Sequence, residues 1–257
     1  MSALSVLAVA AHPDDIEIMM AGTLLLLKDR KCELHHFTVA NGCCGTIKYP
    51  KDDIVKIREK EGRSAARVLG AVFYRSLTDD FTVLYTESLL RKVAAVVRKS
   101  RPDIVLLPSL QDPMEDRVNA ARLGVTAAFV LGMPNFETDP PVPPLDMDTV
   151  LYHTLPHGLC NSLGQRIEPG LFVDIGPVLD AKTDILGLHK TQKDHFDKSQ
   201  GKDSYLFAMQ DEGRQVGMRS GVFTHAEGWQ RHSRLGFSSK DTDPLSEILG
   251  PDRVKSA

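Results

Sequence analysis

The sequence predicts an α/β fold, a mostly parallel sheet with helices on both faces, and three observations predict it. Short apolar runs alternate with longer segments of helical spacing along residues 4–134. The first run, VLAVAA at 6–11, is continuous rather than alternating, as expected of a strand covered on both sides. The polar loops rich in reactive side chains follow these runs, at the carboxyl edge where such sheets bind ligands.

Each element has a local reason. After 6–11, AGTLLLLKDR reads as a helix and ELHHFTVA (33–40) as a second strand, closed by the turn-rich NGCCGT. DDIVKIREKEGRSAARVLG is a helix that Asp52 or Asp53 can cap and Gly70 can end. AVFYRSL is a third strand. ESLLRKVAAVVRKS is a helix broken by Arg101-Pro102, and DIVLLPS (103–109) is a fourth strand. NAARLGVTAAFVLG is a helix closed off by Pro134. The proline-rich stretch 134–148 reads as an exposed, stiff loop, after which TVLYHTL and LFVDIG resume the strand pattern. VLDAKTDILGLHKTQKDHF reads as one helix, DHFDKSQGKDS as its solvated end, and the polar residues from about 237 as a loosely held tail. The expectation is one domain over 1–257 with a C-terminal elaboration.

Composition narrows the function. The chain has 257 residues, 42% hydrophobic and 25% charged, with a net charge of −3. That suits a globular core and gives no field favouring nucleic acid. No run reaches the about 18 apolar residues of a membrane span, and the first strand lacks the basic flank of a signal peptide. Cys32, Cys43, Cys44 and Cys160 include no CxxC pair, so a reduced, cytoplasmic protein is expected. NGCCG lacks the lysine and glycine spacing of a phosphate loop, and there is no Gly-x-Ser-x-Gly elbow.

The loop AHPDDIE at 11–17 carries the chemistry. Hydrolysis of an unactivated amide needs a strong nucleophile, and a bound divalent metal supplies one by lowering the pKa of its water to about 7. His12 and Asp15, three apart on a turn entering a helix, can face one ion while Asp14 stays free as a base. A plainer reading is also open: the aspartates cap the helix and the histidine hydrogen-bonds at the surface.

AHPDDIEIMMAGTL resembles the opening motif of the PIG-L/LmbE-like N-deacetylases. Asn41-Gly42 and Gly45-Thr46, Arg58 and Glu61, Asp79, the Lys182, His189 and Gln192 pattern, and HAEGW follow in that family's order. The resemblance implies a Rossmann-like three-layer sandwich and removal of an N-acyl group from an amino sugar or its conjugate. It implies Zn2+ or another divalent metal on His12 and Asp15, Asp14 as general base, and Arg58 and Asp79 on substrate. By analogy it suggests a homo-oligomer, trimer or hexamer.

One stretch departs from the pattern. After the fourth strand the family carries two histidines, the second being the third metal ligand. Here DPMEDR places Met114 and Arg117 at those positions. Arginine has no lone pair for a metal, and methionine cannot donate to an oxyanion. Three readings stay open. In the first, another residue completes the metal shell, from Asp112, Glu115, Asp116, His153, His157, His189, His225, Cys43 or Cys44. Or the metal is absent, Arg117 supplies a fixed charge, and the protein binds without hydrolysing. Or the chain is catalytic by another route, with Arg117 orienting the substrate. Trp229, the only tryptophan, is expected to pack rather than stack on a sugar.

Overall fold

The computed structural model describes residues 3–257, so the first two residues of the expected 1–257 span lie outside it. Five strands run parallel: β1 (Ser5–Ala10), β2 (Glu33–Thr38), β3 (Ala71–Tyr74), β4 (Ile104–Leu107) and β5 (Val150–Thr154). Three more join in antiparallel fashion: β6 (Leu171–Asp174), β7 (Ala226–Arg231) and β8 (Val254–Ser256). Among the described residues they form one eight-stranded sheet in the order β3-β2-β1-β4-β5-β7-β6-β8. Val6 lies opposite Leu34 on one side and Ile104 on the other, so β1 is central.

All six residues of β1 are buried, and they divide between two apolar layers. Val6, Ala8 and Ala10 face a core shared with helices α1 (Asp15–Met19), α2 (Ala21–Asp29), α3 (Lys51–Leu69), α6 (Leu179–Leu186) and α9 (Pro244–Leu249). Leu7 and Val9 face α4 (Glu87–Ser100) and α5 (Glu115–Phe129). This is the three-layer arrangement that the continuous apolar run predicts. The strand order turns outward in both directions from the β1/β4 pair, which opens a crevice at their carboxyl ends.

Local signals set several helix ends. The Thr86 side chain accepts from the Leu89 amide at the start of α4, and Arg101 ends it in the left-handed region at φ 46°. Gly70 closes α3 at φ 74°, as its type allows. The start of α3 differs from expectation. Pro50 precedes the helix, and Asp52 and Asp53 sit inside its first turn without capping it. There they meet the positive end of the helix dipole.

The C-terminal half departs further. The single helix expected over 178–196 is two, α6 and α7 (Lys190–Gln200), because the chain breaks at Gly187–His189 to turn His189 fully inward. A long helix, α8 (Ser204–Ser220), follows where no element was expected, and the HAEGW box is strand β7. The polar tail is anchored. Asp243 caps α9, Leu245 and Leu249 are 0% and 2% exposed, and β8 pairs with β6. A few well-spaced apolar residues suffice to fasten a segment whose average composition is polar. Stretch 134–148 has no regular structure, and the Arg98 guanidinium pins it by donating to the carbonyls of Val130, Met133 and Val142. Among the described residues no helix is long and apolar enough to cross a membrane.

Candidate active site

The crevice between β1 and β4 receives the loop at 11–14 and the start of α1 from one strand, and the loop at 108–114 and the first turn of α5 from the other. Asp14 sits in the left-handed region at φ 100°, which for a non-glycine residue costs on the order of 1–3 kcal/mol. The turn is held by its own groups. The His12 amide donates to Asp15 Oδ2 at 2.9 Å, and the Asp15 amide donates to the His12 carbonyl at 3.2 Å. Arg58, on α3 and 2% exposed, donates to the Pro13 carbonyl at 2.5 Å, to Asp14 Oδ1 at 3.2 Å and to the Gly42 carbonyl at 3.2 Å. It thus ties the turn to the NGCCG loop. Gly42 has to be glycine there: its φ is +78°, and a Cβ would lie 2.6 Å from the Arg58 side chain.

His12, Asp14, Asp15, Arg58 and Arg117 line one cavity of about 310 Å³, together with Met114, Asp80 and Tyr205. Of the substrate-binding residues expected from the sequence, Asp79 lies apart. It is half-exposed on the outer side of its loop, paired with Lys51 and with Asn41 Nδ2 at 2.7 Å. Its neighbour Asp80 faces the cavity instead and accepts the amides of Gly42 at 2.6 Å and Cys44 at 2.8 Å.

Arg117 settles the geometry at the position expected for a metal. Its Nε and Nη2 donate to Asp15 Oδ1 at 3.0 and 2.6 Å, and Nη1 lies 3.7 Å from Asp112 Oδ1. His12 Nε2 bonds Asp116 Oδ2 at 2.9 Å, while its Nδ1 lies 3.4 Å from Asp15 Oδ2. Asp116 Oδ2 also accepts the Phe81 amide at 2.7 Å. Burial alone would lower the His12 pKa, but Asp116 and Asp15 outweigh it and raise it to about 10. Burial would raise that of Asp15, yet the Arg117 charge and then His12 hold it well below the usual carboxylate range. Arg117 is itself pushed up by Asp15 against its burial. The donor set does not fit a metal here: both Asp15 oxygens are engaged, both ring nitrogens of His12 meet carboxylates, and the third position carries a cation.

The other candidates for a third ligand are placed elsewhere or occupied. His153 Nδ1 bonds the Pro108 carbonyl at 2.8 Å and its Nε2 bonds His232 at 2.9 Å, with burial lowering its pKa to about 4. His157 reaches the cavity rim but pairs with Glu212 at 3.1 Å, which raises its pKa. Asp112 accepts the amides of Met114 at 2.8 Å and His157 at 3.1 Å. Glu115 lies 3.5 Å from Asn119 Nδ2. His189 lies 3.2 Å from Glu17 Oε2, and the same carboxylate bonds His36 Nε2 at 2.9 Å. Burial opposes ionisation of Glu17, but the two imidazoles hold its pKa far down. Among the described residues, one group of metal-type donors does come together: Cys43, Cys44 and Asp80 have ligand atoms within 4.8 Å of one another. Burial pushes the Cys43 thiol up to about 11.

Tyr205 was missed by the motif reading. Its hydroxyl donates to Asp14 Oδ2 at 2.5 Å, and its ring stacks on Phe196 at 5.4 Å between centroids. Its only sequence signal was the spacing of Tyr205 and Met209, four apart on α8 and both on the cavity wall. Trp229 packs: it is fully buried, and its Nε1 donates to Thr23 Oγ1 at 3.0 Å.

Comparison with known proteins gives concordant findings. A family model described as PIG-L, GlcNAc-PI de-N-acetylase, matches residues 7–128. The diacetylchitobiose deacetylase of Thermococcus kodakarensis is 30% identical over 195 residues, covering 73% of this chain and 69% of that protein. Among solved structures, the N,N'-diacetylchitobiose deacetylase of Pyrococcus horikoshii has a TM-score of 0.74 at 22% identity, covering 93% of this chain and 88% of that one. GalB, the 4-carboxy-2-hydroxymuconate hydratase of Pseudomonas putida KT2440, also has a TM-score of 0.74, at 21% identity, covering 93% and 100%. These two structural likenesses show the fold, and because one is a deacetylase and the other a hydratase, the fold alone does not choose the reaction.

Proposed function

Because this chain belongs to the PIG-L family of de-N-acetylases, we propose that its cavity takes an N-acetylated amino sugar or conjugate and that its reaction is hydrolytic removal of the acetyl group. The observation that carries this reading is Asp14. It is a buried carboxylate on a strained turn, facing the cavity and oriented on both oxygens by Arg58 and Tyr205. Such a group can take a proton from an attacking water and return it to the leaving amine. His12 and Arg117, both cationic, stand where they can meet charge developing on the amide oxygen. Arg58 orients the turn and, through it, the base.

A second reading is favoured by the Arg117–Asp15 pair: recognition of the same sugar without turnover. A metal lowers its water from a pKa of 15.7 to about 7, and at 1.36 kcal/mol per unit that activation is worth roughly 12 kcal/mol. A guanidinium bound to a carboxylate cannot coordinate water, so no step here runs through a metal at that position. Cytoplasmic residence, expected from the cysteine pattern, and a homo-oligomer, expected by analogy with the family, are part of the same proposal.

The test offers N,N'-diacetylchitobiose and simpler N-acetylglucosamine conjugates to the purified protein, measuring acetate release and heat of binding together. Acetate release that disappears in Asp14→Asn supports the hydrolase. Saturable binding without acetate supports the second reading. Neither binding nor release would remove amino sugars from consideration for this chain.

A further inference from the structure

The NGCCG loop carries a feature that the deacetylase reading leaves unused. Cys43 Sγ and Cys44 Sγ lie 3.7 Å apart, and the Asp80 carboxylate completes a group whose donor atoms all fall within 4.8 Å. Two thiolates on a tetrahedral zinc, each at about 2.3 Å, are separated by about 3.8 Å. The two thiols therefore already stand at nearly the separation that two sulfur ligands take on such a cation.

The loop is also held in that shape by groups other than the thiols. Asp80 accepts the Gly42 and Cys44 amides, and Asn41 Oδ1 accepts the Cys43 amide at 3.1 Å. Arg58 holds the Gly42 carbonyl from below. Each Asp80 oxygen carries one such amide bond and keeps a second lone pair. Cys44 is exposed, so an ion can enter from solvent, and Cys44 and Asp80 both line the cavity over Asp14.

From this arrangement we infer that Cys43, Cys44 and Asp80 form a binding site for a soft divalent cation such as Zn2+ or Cd2+, at the part of the cavity lined by Cys44 and Asp80. Two sulfur–metal bonds form, the two thiol protons leave to solvent, and the carboxylate supplies a third donor. Three protein donors leave a fourth position open toward the cavity. The inference stands independently of the substrate.

The experiment is a titration of the reduced, metal-free full chain with Cd2+, following the ultraviolet thiolate-to-cadmium charge-transfer band, with competition by Zn2+. The expected result is a band that saturates at one ion per chain and is reversed by zinc. Cys43→Ser and Cys44→Ser abolish it, whereas Cys32→Ser and Cys160→Ser leave it unchanged. Cys44→Ser alters an exposed side chain, so its fold, checked by circular dichroism, is retained. Absence of the band in the parent overturns the inference. So does a band that survives in Cys44→Ser or moves with Cys32 or Cys160.

Discussion

Replacing Arg117 by histidine should convert a site closed to metal into one that binds it. Arg117 makes two charge-assisted hydrogen bonds, at 2.6 and 3.0 Å, to the fully buried Asp15. Removing one partner of such a pair costs about 3–5 kcal/mol, because it strands the other charge. At about 2–4 °C per kcal/mol for a protein of this size, Arg117→His should lose roughly 6–20 °C in Tm without metal. The substitution also frees Asp15 Oδ1 and supplies a lone pair beside His12. Zinc at a thousandfold excess over its Kd then returns about 4 kcal/mol, most of what was lost. Scanning calorimetry with and without zinc reads both changes. A Cys44→Ser background keeps the loop thiols out of the comparison. In that background the Arg117-bearing protein should show no zinc shift. A zinc shift in it that vanishes in Asp15→Asn would refute the reasoning, since Arg117 would then not hold the position. A folded Arg117→His chain that ignores zinc would refute it equally.

Other outcomes follow from the same geometry. Asp14→Asn should lower acetate release by roughly 10²–10⁴ while leaving sugar binding by calorimetry in place. His12 has its pKa raised from 6.5 to about 10, so its contribution to stability is complete below pH 6.5 and is lost as pH rises through 10. Urea midpoints should fall over that interval, and less steeply in Asp116→Asn, which removes the nearest carboxylate from His12. Tyr205→Phe leaves Asp14 Oδ2 without its donor, at a cost of about 1–3 kcal/mol by urea unfolding. Leu245→Ala, in the anchored C-terminal segment, should cost about 2–5 kcal/mol by the same measurement; a change near zero would mean that the segment does not pack.

The parts legible in the sequence are those whose causes are local. β1 was readable because the run from Val6 to Ala11 is apolar throughout. Helix α4 was readable to its last residue because Arg101-Pro102 marks its end, and the Thr86 cap fixes its start in the structure. The turn at 11–15 was readable as chemistry because its charges follow a strand that is buried throughout. What escaped depends on partners far away in the chain. Tyr205 meets Asp14 across 191 residues, and its spacing to Met209 within α8 does not reveal that partner. Arg117 stood at a ligand position in plain view, yet whether it turns into the site or out to solvent depends on Asp15, 102 residues earlier. The break between α6 and α7 has a similar origin. His189 turns inward to reach Glu17, and that contact overrides a helical pattern that looked continuous.

Arg58 shows how these distant pieces act as one unit. Its guanidinium reaches Pro13, Asp14 and Gly42, groups that belong to the loops after β1 and β2. A lysine has a single ammonium and could not span three acceptors held in different directions. The left-handed turn at Asp14 and the tight conformation at Gly42 are therefore held by the same side chain, so neither loop can shift without disturbing the other. One amino group of this guanidinium donates to the carboxylate over which hydrolysis is proposed, and the other donates to Gly42, the residue before the thiols proposed to hold a cation. A change in the position of Cys43 and Cys44 has a short, rigid route to Asp14 through the Gly42 carbonyl and Arg58. That coupling, rather than any shared ligand, would connect the two sites.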